Sequence, residues 1–436
     1  MTENSETFPT VNGRALARRA AILFANFFLI ILAYYQVKSA SRSLFIEYWG
    51  AERVPQLWIV SALVLGSFIG VYHNMVERFS RLQVVLGSCA LFIVLLVLFH
   101  LSLAAGSAWG VYAFYIFVDI LSVILVEQFW SLANTVNATE DGKKSYWFVG
   151  TGGLVGGALG GAMAAALVRH TPVATVDLPL VCAALIGVIF LLNLLMGRHG
   201  LYDEVATEGR PVIAEGGWRT LVQSRYLLLI AAALLCAQFA QPIVEYQFLR
   251  SVEAVYKERE ARTAFFGDFF AILGIVSIIV NLTLTPVLHR YAGVIVGLLA
   301  QPILLMVSSL AFMLQPTLLV ASIMKISDRG LSYSINRASK ELLYIPVDPV
   351  HTYQAKAWID MLGYRLFKVS GSSVIWLLTE VLPKDFDPGL LSWLTFGVCT
   401  VWFGVIVMLV REYNAYEPAP PIQKKPPAPL DRKSVV

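Results

Sequence analysis

Apolar stretches of about twenty residues, each bounded by short charged segments, recur twelve times between Ala20 and Val410. An α-helix needs roughly 20 residues to cross the ~30 Å hydrocarbon core of a bilayer, and a helix satisfies its own backbone there. The recurrence therefore constrains the fold more than any single motif does. Composition agrees: 57% of the 436 residues are hydrophobic and 14% are charged, whereas soluble domains carry about 25% charged residues. Secreted disulfide scaffolds, disordered chains and nucleic-acid binders are excluded on these grounds. Cys89, Cys182, Cys236 and Cys399 each lie inside an apolar stretch, where a thiol behaves as a small hydrophobe. No Cys/His spacing resembles a zinc site. Arg14, Arg18 and Arg19 before the first apolar run resemble a signal peptide, but that run lacks a small-residue cleavage site and reads as a retained helix.

Hydropathy predicts helices over 20–43, 54–73, 82–103, 109–134, 146–168 and 178–197. A second set is predicted over 226–248, 265–287, 292–314, 317–335, 355–381 and 390–410. The chain divides into a cytoplasmic N-terminus (1–19), a six-helix bundle (20–197), a cytoplasmic linker (198–225), a second six-helix bundle (226–411) and a Pro/Lys-rich disordered tail (412–436). Near the end of the linker, Trp218, Leu221 and Val222 have helical spacing, consistent with a surface-lying segment or with a solvated loop. With both termini inside, the inward segments carry roughly three times as many Lys and Arg as the outward loops, the expected positive-inside bias. The expected fold is thus an all-α polytopic membrane protein with 12 transmembrane helices in a 6+6 arrangement. That is the layout of major facilitator carriers, whose halves are related by an axis along the membrane normal.

Each charge at mid-bilayer depth costs roughly 2.5–3.5 kcal/mol on insertion scales. The predicted spans nevertheless contain Lys38, Arg42, Asp119, Glu127, Glu245, Lys325, Asp328, Arg329, Asp360, Arg365 and Lys368. Most of these must pair or line a wet cavity. Lys38 and Glu245 occupy matching depths in the two halves, as do Asp119 and Lys325, so each couple is expected to face the other across one chamber. Lys38 and Arg42, one turn apart, repel unless an anion or a carboxylate lies between them. Arg365 and Lys368 share a helix face and precede Ser370, Gly371, Ser372 and Ser373. That surface suits a phosphate or carboxylate, with pairing at a gate as the alternative. Asp328 with Arg329 and Lys356 with Asp360 read as internal pairs. We assign Lys38, Arg42, Asp119, Glu245, Lys340, Arg365 and Lys368 to substrate binding, and Glu127, Lys325, Asp328, Arg329 and Asp360 to gating or ion pairing.

The glycines at 150, 152, 153, 156, 157, 160 and 161 contain neither a P-loop nor a dinucleotide fingerprint. Their spacing gives smooth stripes for close helix contact. The six histidines, at 73, 100, 170, 199, 289 and 351, are scattered. An enzyme is therefore not expected, and neither is a cofactor or metal.

Several segments together resemble the ATP/ADP translocase family. They are VKSASRSLFIEYWGAERVPQLW from Val37, EQFWSLAN at Glu127–Asn134, IVEYQFLRSVEAVYKERE from Ile243, SKELLYIPVD at Ser339–Asp348 and KAWIDMLGYRLFKVSG at Lys356–Gly371. The resemblance implies a nucleotide exchanger of the major facilitator class. It puts Glu245 on the family's helix 7 acid and Lys340 on its late lysine, with Asp119 standing for the helix 4 acid. The family's helix 1 lysine falls on Ser41, and Arg42 stands where an acid is usual; Lys38 falls on an upstream basic position. An anionic substrate is therefore implied, with ATP/ADP as candidates, and strict ATP/ADP exchange is not. A monomer in a bacterial inner (plasma) membrane, both termini cytoplasmic and without nucleic-acid partners, is the expected form. The alternative keeps the architecture for a proton-coupled carrier of a non-nucleotide compound such as an amphiphile, siderophore or drug.

Overall fold

A computed structural model describes residues 13–136, 139–200, 221–291, 293–344, 346–348, 351, 355–356, 358–359, 363–381 and 388–415. Among them every regular element is helical. The first set comprises α1 (Gly13–Trp49), α2 (Val54–Arg78), α3 (Arg81–Ala104), α4 (Ala108–Val136), α5 (Thr139–His170) and α6 (Leu178–Arg198). The second comprises α7 (Arg225–Val255), α8 (Arg259–Ile279), α9 (Gly293–Leu314), α10 (Leu318–Leu331), α11 (Tyr364–Val381) and α12 (Leu391–Ala415). A π-helical turn, Val280–Leu284, carries α8 into Thr285–Tyr291, and another, Ser332–Asn336, carries α10 into Arg337–Leu343. Most of the linker and of the tail lies outside the described residues.

Nine of these helices are long and apolar enough to cross a membrane, and the chain is an integral membrane protein. The other three predicted positions are filled by α2, α10 and α11. The last two carry Lys325, Asp328, Arg329, Arg365 and Lys368, charges that line or flank the polar interior. Several helices run past their predicted ends, most of all α1, which continues past residue 43 to Trp49, and α7, which continues past 248 to Val255. Hydropathy stops at the charged residues there, but the backbone hydrogen bonding does not.

Packing repeats between the two sets. In the first, α1 touches α4, α5 and α6, and α3 touches α4 and α6; in the second, α7 touches α10, α11 and α12, and α9 touches α10 and α12. The halves meet through α5 with α8, α1 with α8 and α2 with α11. Arg225 pairs with Glu412 at 3.1 Å, and Asn26 donates to Asn193 at 3.1 Å. The starts of α1 and α7 therefore lie beside the ends of α6 and α12, on what we call the terminal face.

The glycine stripe of α5 explains how tightly that helix packs against α1 in its own half and against α8 in the other. Its residues 152, 156 and 160 lie against the backbone of α1, where an added Cβ would come within 2.8 Å of Phe24 O, 2.5 Å of Phe28 O and 2.9 Å of Leu32 O. Gly161 faces α8: a Cβ there would sit 2.6 Å from Gly267 O. Reciprocally, a Cβ on Gly267 would meet Ala165 N at 2.7 Å. This is the small-residue contact expected of helices without a hydrophobic drive between them. Gly267→Ala is expected to cost about 1–3 kcal/mol through overpacking. Gly187→Ala, where a Cβ meets nothing within 4 Å, should be neutral or stabilising by up to about 1 kcal/mol. Melting of the two detergent-purified variants against the parent checks this, and equal melting of both would contradict the packing argument.

Candidate functional site

On α1, residues 27, 31, 34, 38 and 42 recur at helical spacing and form one stripe. Phe27, Ile31, Tyr34, Lys38 and Arg42 all face the space between the halves. The deeper part of that space, about 260 Å³, is lined by Lys38, Arg42, Asp119, Glu245, Lys325, Arg329, Arg365 and Lys368. Six cations and two carboxylates give it a formal excess of four positive charges.

Two ion pairs hold its walls. Arg42 Nη2 lies 3.3 Å from Asp119 Oδ1, and Ser61 Oγ donates to Asp119 Oδ2 at 3.3 Å. Beneath the guanidinium the Tyr115 ring is 4.4 Å away, and Trp58 fixes that tyrosine by donating to its hydroxyl at 3.2 Å. In the other half Lys325 contacts Glu245, with Asp328 Oδ2 at 3.5 Å behind it and Arg329 Nε 3.6 Å from the same oxygen. The pairs occupy equivalent helices, α1 with α4 and α7 with α10, with the signs exchanged. Matched depths place Lys38, Asp119, Glu245 and Lys325 around one cavity, and the structure puts all four on the lining of the same chamber. Each carboxylate is taken by a cation of its own half because that cation is within side-chain reach.

Lys38 sits instead among rings, 4.5 Å from the centre of Tyr35, 5.3 Å from Tyr34 and 4.3 Å from Phe270, a cation–π arrangement. Among the described residues Lys38, Arg365 and Lys368 make no salt bridge, and Arg42 Nε is buried without an acceptor. Asp328 forms its expected internal pair with Arg329, buried behind the chamber. Lys340 is not in the central chamber: its Nζ donates to Tyr364 Oη at 3.0 Å in an adjoining cavity that shares Gln241 and Arg329 with it. Glu127 lines a wider cavity toward the terminal face. Asp360 lies outside the described residues. Among the described residues no cluster of His, Cys, Asp and Glu fits a metal ion.

The far face is closed. Arg259 makes a bidentate pair with Glu47, both bonds 2.6 Å. Arg262, buried, donates to Ser43 O at 2.9 Å, while Ser43 Oγ donates to Arg259 O at 2.9 Å. Thr175 gives its N–H and hydroxyl to Glu260 Oε2 at 2.9 and 2.6 Å, Ala51 N donates to Glu253 Oε1 at 3.1 Å, and Arg169 meets Asp268 at 2.5 Å. Every one of these bonds joins the two halves. Sequence reasoning missed them, since charges at helix ends read as solvated and hydropathy stops short of the ends of α1 and α7.

Charge-assisted bonds of the Arg42–Asp119 kind are worth about 1.5–3 kcal/mol. Asp119→Ala should accordingly lower stability by about 2 kcal/mol, and adding Arg42→Met should recover part of it. Additive losses in a melting or denaturation cycle would remove the pairing from the account.

Comparison with known proteins adds a separate line. The family model for the TLC ATP/ADP transporter matches residues 208–318 and 313–413. ADP,ATP carrier protein 1 of Chlamydia muridarum is 23% identical over 426 residues, covering 81% of this chain and 80% of that protein. ADP,ATP carrier protein 4 of Rickettsia conorii is 21% identical over 354 residues, covering 71% and 69%. Among solved structures, a bacterial homologue of the iron transporter ferroportin in the inward-facing state superposes with a TM-score of 0.61. It is 14% identical and covers 90% of this chain and 98% of that one, a likeness of fold.

Proposed function

We propose that this member of the ATP/ADP transporter family is a secondary carrier that moves a phosphorylated organic anion, a nucleotide or a similar metabolite, by alternating access. Twelve helices in two six-helix halves cross a bacterial inner membrane with both termini cytoplasmic, so the state described above is open inward and sealed outside. The observation that carries the reading is the excess of positive charge in the chamber between the halves. Buried cations are costly unless a partner neutralises them. Lys38 on α1 and Arg365 and Lys368 on α11 come from opposite halves, so one polyanion contacts both.

Glu245 acts through Lys325, holding one wall of the chamber; Asp119 does the same through Arg42. A proton-coupled carrier of a neutral or cationic compound needs a carboxylate that titrates during the cycle. Both carboxylates of the deep chamber are instead held by cations, which favours anion exchange. In proteoliposomes, ADP uptake driven by internal nucleotide is expected for the parent and absent in Glu245→Gln, with folded protein retained. Lys368→Ala should raise the apparent KM about tenfold. Full activity in Glu245→Gln would remove that residue from the mechanism, and uptake driven by a pH gradient without internal substrate would favour the proton-coupled reading.

Alternation requires the outer seal to break. An exposed ion pair is worth at most about 1 kcal/mol, so Glu47→Ala should raise the outward-open population by up to roughly fivefold. A cysteine at Ala62, which lines the deep chamber, reports this by its labelling rate with an impermeant maleimide added outside. An unchanged rate would show that the Glu47–Arg259 pair is not part of the seal.

A further inference from the structure

The chamber widens toward the terminal face, where a cavity of about 750 Å³ continues it. Beside that cavity two helices of the second half lose their α-helical register. The π turn Val280–Leu284 follows α8, the π turn Ser332–Asn336 follows α10, and the two turns pack against each other. Such turns are rare, recur at functional sites and are a defined cause of helix kinks. Irregular backbone at membrane depth is tolerated where it is buried in protein or lines a wet cavity. Both turns meet that condition: Asn281 lines the wide cavity, and Ser332 and Asn336 line the adjoining one. Each turn is also closed by side chains. Thr285 gives its N–H and its hydroxyl to Val280 O, five residues back, the hydroxyl at 3.0 Å. Gln301 of α9, buried, spans the second turn. Its Nε2 donates to Asp328 O at 3.1 Å and to Ser332 Oγ at 2.8 Å, and its Oε1 accepts from Asn336 Nδ2 at 2.8 Å.

Beyond the turns the two helix ends are joined. His289 Nε2 and Ser339 Oγ, one on each end, are hydrogen-bonded at 2.8 Å. That bond passes over Gly297 of α9, where an added Cβ would lie 2.6 Å from Ser339 Oγ and 3.0 Å from His289 Nε2. Lys340, the next residue, reaches from this unit to Tyr364 Oη at 3.0 Å, in the cavity that shares Gln241 and Arg329 with the chamber. We propose that the paired π turns are the hinge of a gate at the terminal face. Thr285–Tyr291 and Arg337–Leu343 swing together as its leaf, and Gln301 is the positioning residue that ties the hinge to the chamber wall. The tie runs through Asp328, whose Oδ1 is 3.3 Å from Gln301 Nε2 and whose other oxygen faces Lys325 and Arg329. A shift of the leaf therefore reaches the cationic wall through one side chain. The proposal goes beyond the carrier reading by placing a bend inside one half, where rocking of rigid halves has none.

A lock placed inside that half separates the two. A Cβ at position 297 would reach Ser339, so Gly297→Cys with Ser339→Cys should form a disulfide that fixes the leaf to α9. Rocking of rigid halves predicts unchanged transport by the oxidised variant. The hinge predicts that ADP exchange in proteoliposomes falls at least about tenfold and returns with reductant. Gln301→Leu gives a readout that needs no substrate. Hydrogen exchange of the full-length protein in detergent should quicken about tenfold in both Thr285–Tyr291 and Arg337–Leu343, as one or two buried hydrogen bonds are lost. It should stay within about twofold in Arg259–Ile279. Undiminished ADP exchange by the oxidised variant overturns the hinge and leaves the carrier reading standing. So does a Gln301→Leu variant that quickens Arg337–Leu343 alone or the whole chain alike, since that loosening is local or global. If the double variant does not cross-link, or is inactive when reduced, the hydrogen-exchange result decides the hinge by itself. If the parent exchanges no nucleotide, the carrier reading falls, and hydrogen exchange again decides the hinge.

Discussion

Charge buried at the depth of the hydrocarbon governs this architecture. A lone ammonium or guanidinium cannot face lipid without a penalty of several kcal/mol, so every helix carrying one must turn it toward another helix or toward water. That requirement orients α1, α4, α7, α10 and α11 about a single axis, and the chamber is the result. Within it the carboxylates are too few. Asp119 and Glu245 each neutralise one cation of their own half, and the bonds so formed stiffen each half as a unit. Of the remaining cations, Arg329 pairs with Asp328, while Lys38, Arg365 and Lys368, from both halves, make no salt bridge among the described residues. A protein that needed these charges only for stability would do better with apolar side chains of the same size, since buried ion pairs are rarely more stable than such replacements.

The second constraint is closeness. Halves that pivot against each other in lipid gain little from hydrophobic burial, and their contact depends on packing and on hydrogen bonds. The crossing of α5 and α8, with Gly161 and Gly267 backbone to backbone, supplies the first. The polar cluster of Glu47, Ser43, Arg259 and Arg262 supplies the second, at the far face. An interface smooth along its length and bonded at one end is suited to opening at that end. The bonds are individually weak where exposed, in keeping with a contact that forms and breaks.

Much of this was legible in the sequence for definite reasons. The spans were readable because a membrane imposes a length, and the glycine stripe because its period matches one helix face. The chamber residues were readable because charge is expensive at that depth, which isolates Lys38, Arg42, Asp119, Glu245, Lys325, Arg365 and Lys368 from the rest. Pairing was not readable: a depth in the membrane gives no azimuth, so matched depths placed Asp119 and Lys325 on one chamber without showing that Asp119 pairs with Arg42. Nor was the far-face cluster, whose members sit among ordinary loop charges. The wide cavity toward the terminal face escaped notice for a third reason, since its Phe27, Trp130 and Tyr146 are indistinguishable in a hydropathy scale from rings that face lipid.

The substitution pattern on α1 now has a physical sense. The resemblance to the translocase family implies a lysine at the position of Ser41 and an acid at that of Arg42. Ser41 Oγ accepts from Arg42 Nη1 at 3.0 Å, and Asp119 holds the other end of the guanidinium. The arginine is thereby tied into its own half, with the Tyr115 ring beneath it, and its charge is largely spent locally. Lys38, one turn nearer the terminal face, is not so tied: rings surround it rather than carboxylates. A cation held by rings is less strongly neutralised than one in an ion pair, and so remains attractive to an incoming anion. Moving the effective charge by one turn shifts it about 5.4 Å along the helix, toward the wide cavity. The motif position and the chemical position have separated, and in the proposed carrier it is the second that the substrate would meet.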